Sequence, residues 1–552
     1  MPSNSSINVL EPPLVTSAKP KAASILFYVT VLLYGVILLY LPTHSPRDLQ
    51  NSPDEMAVAF FSEGFAQDGH LARGVDRAGL PSLITPRSML RVNDAFIPVG
   101  FVSFPVLFGG FVALLGFKGA LAMLAIFSAL GLLAWYGFLR SIFGTKLALL
   151  SVMLTALHPF ILYWAARPLV PNAWFMSFVF FALYFLSRAF KISTGALPQG
   201  GVQFETPLAQ EPKKGRILYA VLSGITLGLA LSLRPQEGIW LVIVPLYILF
   251  IPRLRKRISL LVFIVFATLP VFGLLLLQRS LYGSAWRTGY HLTPFDADIL
   301  STLKNLIIPF GINFERIGAV IFNYWFALQN WLMALTLLGI IFVVLRQDGR
   351  LLKRLRLWAG GGLVIALWLL VFYGSFNVRD RVDMLPSIGT SFTRYFLPFY
   401  SILTPLVAYA LFRLRARFGK MLTAFIVPLM AVLVLRMVFW GTDESLVKIP
   451  KVLAENKILQ ARLLEVLPEN AVVLTDRSDK ILFPYRETVG GFRSFSQPDF
   501  EELYGYNLYY ETIADEEVVK FENENFWQPH GLEAVLPVDL GDRHTLYKLE
   551  RI

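Results

Sequence analysis

The sequence predicts an all-α polytopic membrane protein followed by a small α/β domain. Three observations carry this. The 552 residues have a mean hydropathy of +0.57 and only 16% charged residues, against about 25% in ordinary soluble domains. Apolar stretches long enough to span a bilayer recur from Ala22 to Trp440. Beyond Trp440 the chain turns polar, with short alternating runs at Ala471–Thr475, 534–538 and 545–549 that read as strands.

Composition excludes some chemistry. The net charge of +12 sits mostly in short connections between apolar stretches, where it orients a membrane protein and does not argue for nucleic acid. Cysteine is absent, which removes disulfides, thiol nucleophiles and thiolate metal sites. The six histidines have no close ligand spacing. A divalent metal held by carboxylates alone is left open, and no metal ligand is assigned.

Residues 1–21 are a polar, proline-bearing tail, expected to be disordered and cytoplasmic because Lys19 and Lys21 precede the first span. The run 22–41 lacks a small-residue cleavage site and reads as an uncleaved anchor. A return span, 119–139, leads to the first of five basic connections, 140–146, 188–216, 253–257, 346–356 and 413–420, all expected in the cytoplasm. Hairpins through the membrane lie between them: 147–165 with 173–187, 217–233 with 238–252, 258–278 with 321–345, and 357–375 with 396–412. A last span, 421–440, leads outward.

The stretch 96–116 is apolar too, but a full crossing there would turn every later basic connection outward. Pro98, Pro105 and Gly109-Gly110 interrupt it. It is expected to be a juxtamembrane element of the first outer loop, 42–118. The count is then about eleven spans in a catalytic membrane domain, 22–440, with an extracytoplasmic domain at 441–552.

Candidate chemistry gathers on the outer side. Ser52-Pro53-Asp54-Glu55 directly follows the first span. Ser52 suits a helix N-cap, Pro53 the first helical position, and Glu55 the third position of a capping box. That leaves Asp54 unexplained, unless it is simply a first-turn acid stabilised by the helix dipole. Outer connections add Arg167 before Pro168, Arg234 before Pro235, Glu237, Arg287, Tyr290, His291 and Arg394. Each has an ordinary reading. Arginines at span ends snorkel to the interface, Glu237 can pair with Arg234, and the 287–291 turn can be a mere connection. Together they make another chemistry available. A carboxylate can take the proton of an acceptor hydroxyl, and arginines can hold a departing phosphate. Those are the parts needed to transfer a sugar from a lipid phosphate.

In this order the motifs resemble the GT-C superfamily of polyprenyl-phosphate-sugar-dependent glycosyltransferases, within it the protein O-mannosyltransferase and lipid A aminoarabinose transferase group. The resemblance covers most of 22–440. It rests on Asp54-Glu55 after the first span, Arg167-Pro168, Arg234-Pro235 with Glu237, the turn from Tyr282-Gly283-Ser284 to Gly289-Tyr290, and Arg394-Tyr395 before Pro398. It implies a GT-C-like fold with juxtamembrane helices in the first outer loop. It implies catalysis at the Asp54-Glu55 pair, with Asp54 the base, and Arg167 as a ligand of the lipid phosphate. Asn172 stands where the family often has an acid, which weakens any inference of a carboxylate-bound metal.

The expected function is transfer of a hexosyl or pentosyl group from a polyprenyl-phosphate donor to a glycan, lipid or protein acceptor outside the cell membrane. A lipid-linked glycan ligase or polymerase is a rival. A transporter would favour inverted repeats and helices broken at mid-membrane, and the acids here lie at the outer edge. A scaffold would not need the acids and arginines to converge.

Overall fold

The computed structural model describes residues 20–44, 49–74, 77, 79–92, 94–100, 102–190, 213–241, 257–289, 310–346, 349–376, 386–441, 444–541 and 543–552. Tyr290 and His291 lie outside them.

Helix α1, Pro20–Leu38, buries Phe27, Val31, Tyr34 and Leu38, which share one face, and exposes Ile25, Leu32 and Leu33 on the others. An apolar helix with one protein-facing stripe belongs in lipid, where exposed leucines cost nothing. A short α2, Tyr40–His44, ends this span. Helix α3, Pro53–Asp68, lies beyond it and buries Met56, Ala57, Val58 and Phe61. A small antiparallel sheet follows, with β1 (Arg73–Gly74) and β2 (Met89–Val92) on either side of β3 (Ala95–Pro98).

The next helix, α4, runs from Ser103 to Phe143 with a break at Gly116, whose φ of 69° only glycine adopts freely. Its first part, 103–115, is about 20 Å long, too short for a hydrocarbon core of about 30 Å. Its second part, 117–143, is about 40 Å long and can cross. The break falls at the end of the stretch 96–116 that is expected not to cross. A reporter fused at Gly144 is expected to read cytoplasmic and one at Asn172 extracytoplasmic. The opposite signal at either site would overturn this topology.

Behind α4 come α5 (Thr145–Ala156), α6 (Pro159–Ala165), α7 (Pro171–Ala189) and α8 (Lys213–Leu233). Helices α9 (Gly238–Leu241), α10 (Arg257–Tyr282), α11 (Phe314–Val320) and α12 (Asn330–Leu345) continue the bundle. Helices α13 (Arg350–Tyr373), α14 (Ser391–Tyr395), α15 (Leu397–Phe418) and α16 (Lys420–Trp440) complete it.

Among the described residues seven helices are long and apolar enough to cross, or nine if two bent pairs count as single spans. About eleven are not reached. The pair α5–α6 bends by 59°, where Pro159 starts a new helix. The helix at 314–327, which ends in a π-helical turn, meets α12 at 94°. Of the remaining expected spans, 173–187 coincides with α7, a deeply buried helix whose Asn172, Ser177, Ser187 and Arg188 dilute its apolarity. Most of 238–252 lies outside the described residues.

Residues 444–552 form a mixed sheet flanked by helices. Helix α17 (Lys448–Val466) leads to β4 (Ala471–Thr475), then α18 (Asp479–Leu482), β5 (Glu487–Gly490), α19 (Gln497–Leu503), β6 (Asn507–Thr512), α20 (Glu516–Glu522), β7 (Leu532–Gly541) and β8 (His544–Arg551). The strand order is β5-β4-β6-β8-β7, with β4 parallel to both neighbours. This unit interlocks with the first outer loop. Ile84 of the loop is fully buried in the core around Phe492 and Trp527. In return Phe483 stacks edge-on against Phe60 and Phe96 of the loop. The cores on the two sides of the composition change at 441 are therefore shared.

Candidate active site

The site is built on the first turn of α3. Ser52 is the N-cap and accepts from the Glu55 backbone N–H at 3.3 Å. Pro53 occupies the first turn, where its missing N–H costs nothing. The capping box is only half closed. The Glu55 carboxylate takes the Ser52 hydroxyl at 3.1 Å and is otherwise turned toward Arg167.

Arg167, on the turn between α6 and α7, places Nε 3.0 Å from Glu55 Oε1 and Nη2 2.7 Å from Oε2. Both side chains are buried, at 4% and 6% exposure. The arginine therefore does not snorkel. Its third guanidinium nitrogen, Nη1, reaches the Tyr163 hydroxyl at 3.4 Å. Two charges leave water here, and only the two-pronged geometry offsets that cost.

Asp54 faces the other way. Ser88 donates its hydroxyl to Oδ1 at 2.7 Å, and Arg394 on α14 donates to Oδ2 at 3.1 Å. The Asp54 side chain keeps 32% exposure. Burial pushes its carboxyl up. The Arg394 charge, the Ser88 and Arg394 hydrogen bonds and the more distant Arg167 outweigh that and hold it below the usual carboxylate range. Asp54 is therefore ionised at neutral pH and open to a ligand.

Trp164 joins the two pairs. The Arg167 and Arg394 guanidinium carbons lie 4.9 and 5.6 Å from its ring centre. Its indole N–H is fixed by Thr393 at 2.8 Å. Asn172 donates to the Arg394 carbonyl at 3.0 Å, so it sets the segment that carries Arg394.

Arg234 and Glu237 form a separate, sealed network. Arg234 donates to Glu237 at 2.9 Å and to the Tyr373 hydroxyl at 2.7 Å, and Trp240 donates to the second Glu237 oxygen at 2.6 Å. Both charged side chains are 1% exposed. Tyr395 is the link to the site. It stacks on Tyr373 at 4.3 Å and lies under both Arg234 and Arg394. Arg287 is exposed on the turn after α10. That turn is tied to the first outer loop by Tyr282, whose hydroxyl donates to the Pro98 carbonyl at 2.7 Å.

Two clefts flank α3. One is lined by Glu55, Arg167 and Lys118 with an apolar wall of Leu41, Phe117 and Leu121. The other is lined by Asp54 and Ser88 with Phe61, Pro98 and Val99. Neighbouring side chains thus open to different spaces. Among the described residues no three of His, Asp and Glu gather as a metal site would need.

Sequence reasoning missed Ser88, Trp164 and Ser391, the last of which accepts from Arg394 at 3.2 Å. Nothing local marks them. A lone serine in a loop has no signature until the partner across the fold is known.

Comparison with known proteins bears on residues around Arg167. Residues 104–198 match the family described as dolichyl-phosphate-mannose-protein mannosyltransferase. No curated protein sequence matches the chain. Among solved structures it is similar to ArnT from Cupriavidus metallidurans bound to undecaprenyl phosphate, at 13% identity and a TM-score of 0.48, covering 96% of this chain and 98% of that one. It is similar also to the Archaeoglobus fulgidus oligosaccharyltransferase in the apo form, at 12% identity and a TM-score of 0.49, covering 91% and 70%. The family match lies over the segment that holds Arg167 and Asn172.

Proposed function

We propose that the chain transfers a sugar from a polyprenyl-phosphate donor to the hydroxyl of a glycan, lipid or protein acceptor on the extracytoplasmic side of the cell membrane. The observation that carries this reading is Asp54, an ionised, part-exposed carboxylate opening to one cleft while the buried Arg167–Glu55 pair opens to the other. The matched family is named for a dolichyl-phosphate sugar, a donor of this class.

In this reading the donor phosphate enters the cleft of Lys118 and Arg167. Lys118 is exposed and follows the exposed Leu114 and Leu115 at the α4 break, so a polyprenyl tail can lie in lipid beside it. The acceptor enters beside Asp54, and the donor's sugar reaches past the first turn of α3 to meet it there. The acceptor oxygen attacks the anomeric carbon, the carbon–oxygen bond to phosphate breaks, and the electron pair leaves with the phosphate. The acceptor proton passes to Asp54. One displacement inverts the anomeric centre. Arg394 keeps Asp54 ionised before the step, and cations on the donor side stabilise the phosphate that departs. Arg234 and Glu237 hold Tyr395, and through it Arg394, so they act on substrate only indirectly.

The test is a panel of radiolabelled polyprenyl-phosphate hexoses and pentoses offered to the purified chain in bilayer discs. Label is expected to move from at least one donor to a hydroxyl acceptor with inversion. Failure of every donor, together with no binding of polyprenyl phosphate itself, would overturn the reading.

A further inference from the structure

We propose that Asp479 and Lys480 in the C-terminal domain are positioning residues for Asp54. They hold the two segments, 85–88 and 51–54, whose meeting presents that carboxylate to the acceptor. The proposal rests on the reading of Asp54 as the base.

The argument starts from the sheet. β4 lies between β5 and β6 and runs parallel to both, so the carboxyl ends of the three strands lie along one edge of the sheet with a crevice beyond it. In open α/β sheets that crevice is where ligands bind. Here it holds the protein's own outer loop. The Gly490 N–H, at the end of β5, donates to the Thr85 carbonyl at 3.0 Å. A Cβ at Gly490 would stand 2.7 Å from the Arg87 side chain and 3.0 Å from its backbone nitrogen, so only glycine lets the loop seat this closely. Asp479, fully buried, accepts the Arg87 backbone N–H at 2.8 Å and Nη2 at 2.5 Å, with Nε within 3.1 Å of both its oxygens. The Arg477 carbonyl takes Arg87 Nη2 as well, at 3.1 Å.

The next residue is Ser88, and it is strained. Its φ of 66° is uncommon for a residue with a Cβ. Such a conformation persists only where its surroundings over-determine it. Asp479 fixes the residue before it, and the Val99 N–H holds the Ser88 carbonyl at 3.3 Å. The result is the 2.7 Å bond from Ser88 to Asp54. On the opposite side Lys480 donates to the Asn51 carbonyl at 2.6 Å, just before the N-cap of α3. Adjacent residues of α18 thus grip both strands of chain that converge on Asp54. Neither touches Asp54 itself.

The experiment uses the full chain carrying Asp479→Ala, with Asp479→Asn as the milder variant and Lys480→Ala and Arg87→Lys as further probes. Hydrogen exchange across 85–92 is expected to speed up in Asp479→Ala. With the donor identified by the panel, kcat is expected to fall roughly 10²-fold, the cost of a small misplacement, with donor KM little changed. Asp479→Asn still accepts the Arg87 N–H and should keep part of the rate. The acid limb of the kcat/KM profile should move to higher pH. Ser88 donates to the ionised form of Asp54, so its loss raises that pKa. The other charged groups facing Asp54, namely Arg394, Arg167 and the neighbouring Glu55, stay in place. A merely structural contact would not move that limb.

Unchanged exchange across 85–92 in Asp479→Ala overturns the proposal whatever the activity. So does wild-type kcat with an unmoved acid limb. If Asp479→Ala does not fold, the same readouts in Asp479→Asn and Arg87→Lys decide. The underlying reading fails separately. Wild-type turnover in Asp54→Asn would remove Asp54 as the base, whereas an inactive Asp54→Asn beside fully active Asp479 variants removes only the positioning.

Discussion

Asp54→Asn is expected to lower turnover on the order of 10²–10⁴-fold, the range for loss of a general base, while thermal unfolding in detergent changes little. Asparagine keeps the volume, still accepts the Ser88 hydroxyl and loses only the ionic part of a part-exposed contact with Arg394. What it cannot do is take a proton. Ser52→Ala should show the opposite signature, with about 1 kcal/mol of stability lost with the cap and a modest change in rate. Both variants are to be measured for unfolding and for turnover. Asp54→Asn turning over like the wild type would make Asp54 an anchor for Arg394 and nothing more.

The second large effect concerns stability. Arg167→Ala leaves the Glu55 carboxylate buried at 6% exposure with its cation gone. Breaking a buried pair from one side costs about 3–5 kcal/mol, so the variant should unfold far below the wild type. Arg167→Lys should restore only part, because one ammonium cannot span both carboxylate oxygens. Replacing both partners, Glu55→Leu with Arg167→Met, should recover most of the unfolding temperature. Binding of polyprenyl phosphate to that double variant then separates the roles. Stability recovered without binding makes Arg167 a phosphate ligand as well as a strut. Wild-type unfolding in Arg167→Ala would mean that the pair is not desolvated.

Much of this site was legible from local pattern. The acidic pair after the first span, its cap and the Arg394-Tyr395 dipeptide are all short motifs. The glycine at 116 was not singled out, yet the charge pattern already required a division near it. What could not be read was pairing at long range. Arg167 looks alike in sequence whether it snorkels, binds phosphate or locks onto Glu55, 112 residues away. Glu237 was open to two readings, and the bonds it accepts from Arg234, the hydroxyl of Tyr373 and the indole of Trp240 could not be read from the sequence. The bends at Pro159 and after residue 327 leave the apolar pattern almost unbroken, so hydropathy alone counts straight spans. Ser88 and Asp479 show nothing until the fold brings their partners to them.

The exchange of Ile84 and Phe483 between two cores has a consequence for biosynthesis. Residues 85–88 leave the ribosome 392 positions before the segment that receives them. At roughly 5–20 residues per second the outer loop waits about 20–80 s for its other half. During that interval Ser88 lacks the Asp479 side of its clamp, and in the proposed reading Asp54 is not yet aligned. In that reading catalytic competence waits for residues 477–490, so a chain stopped before them would be inactive.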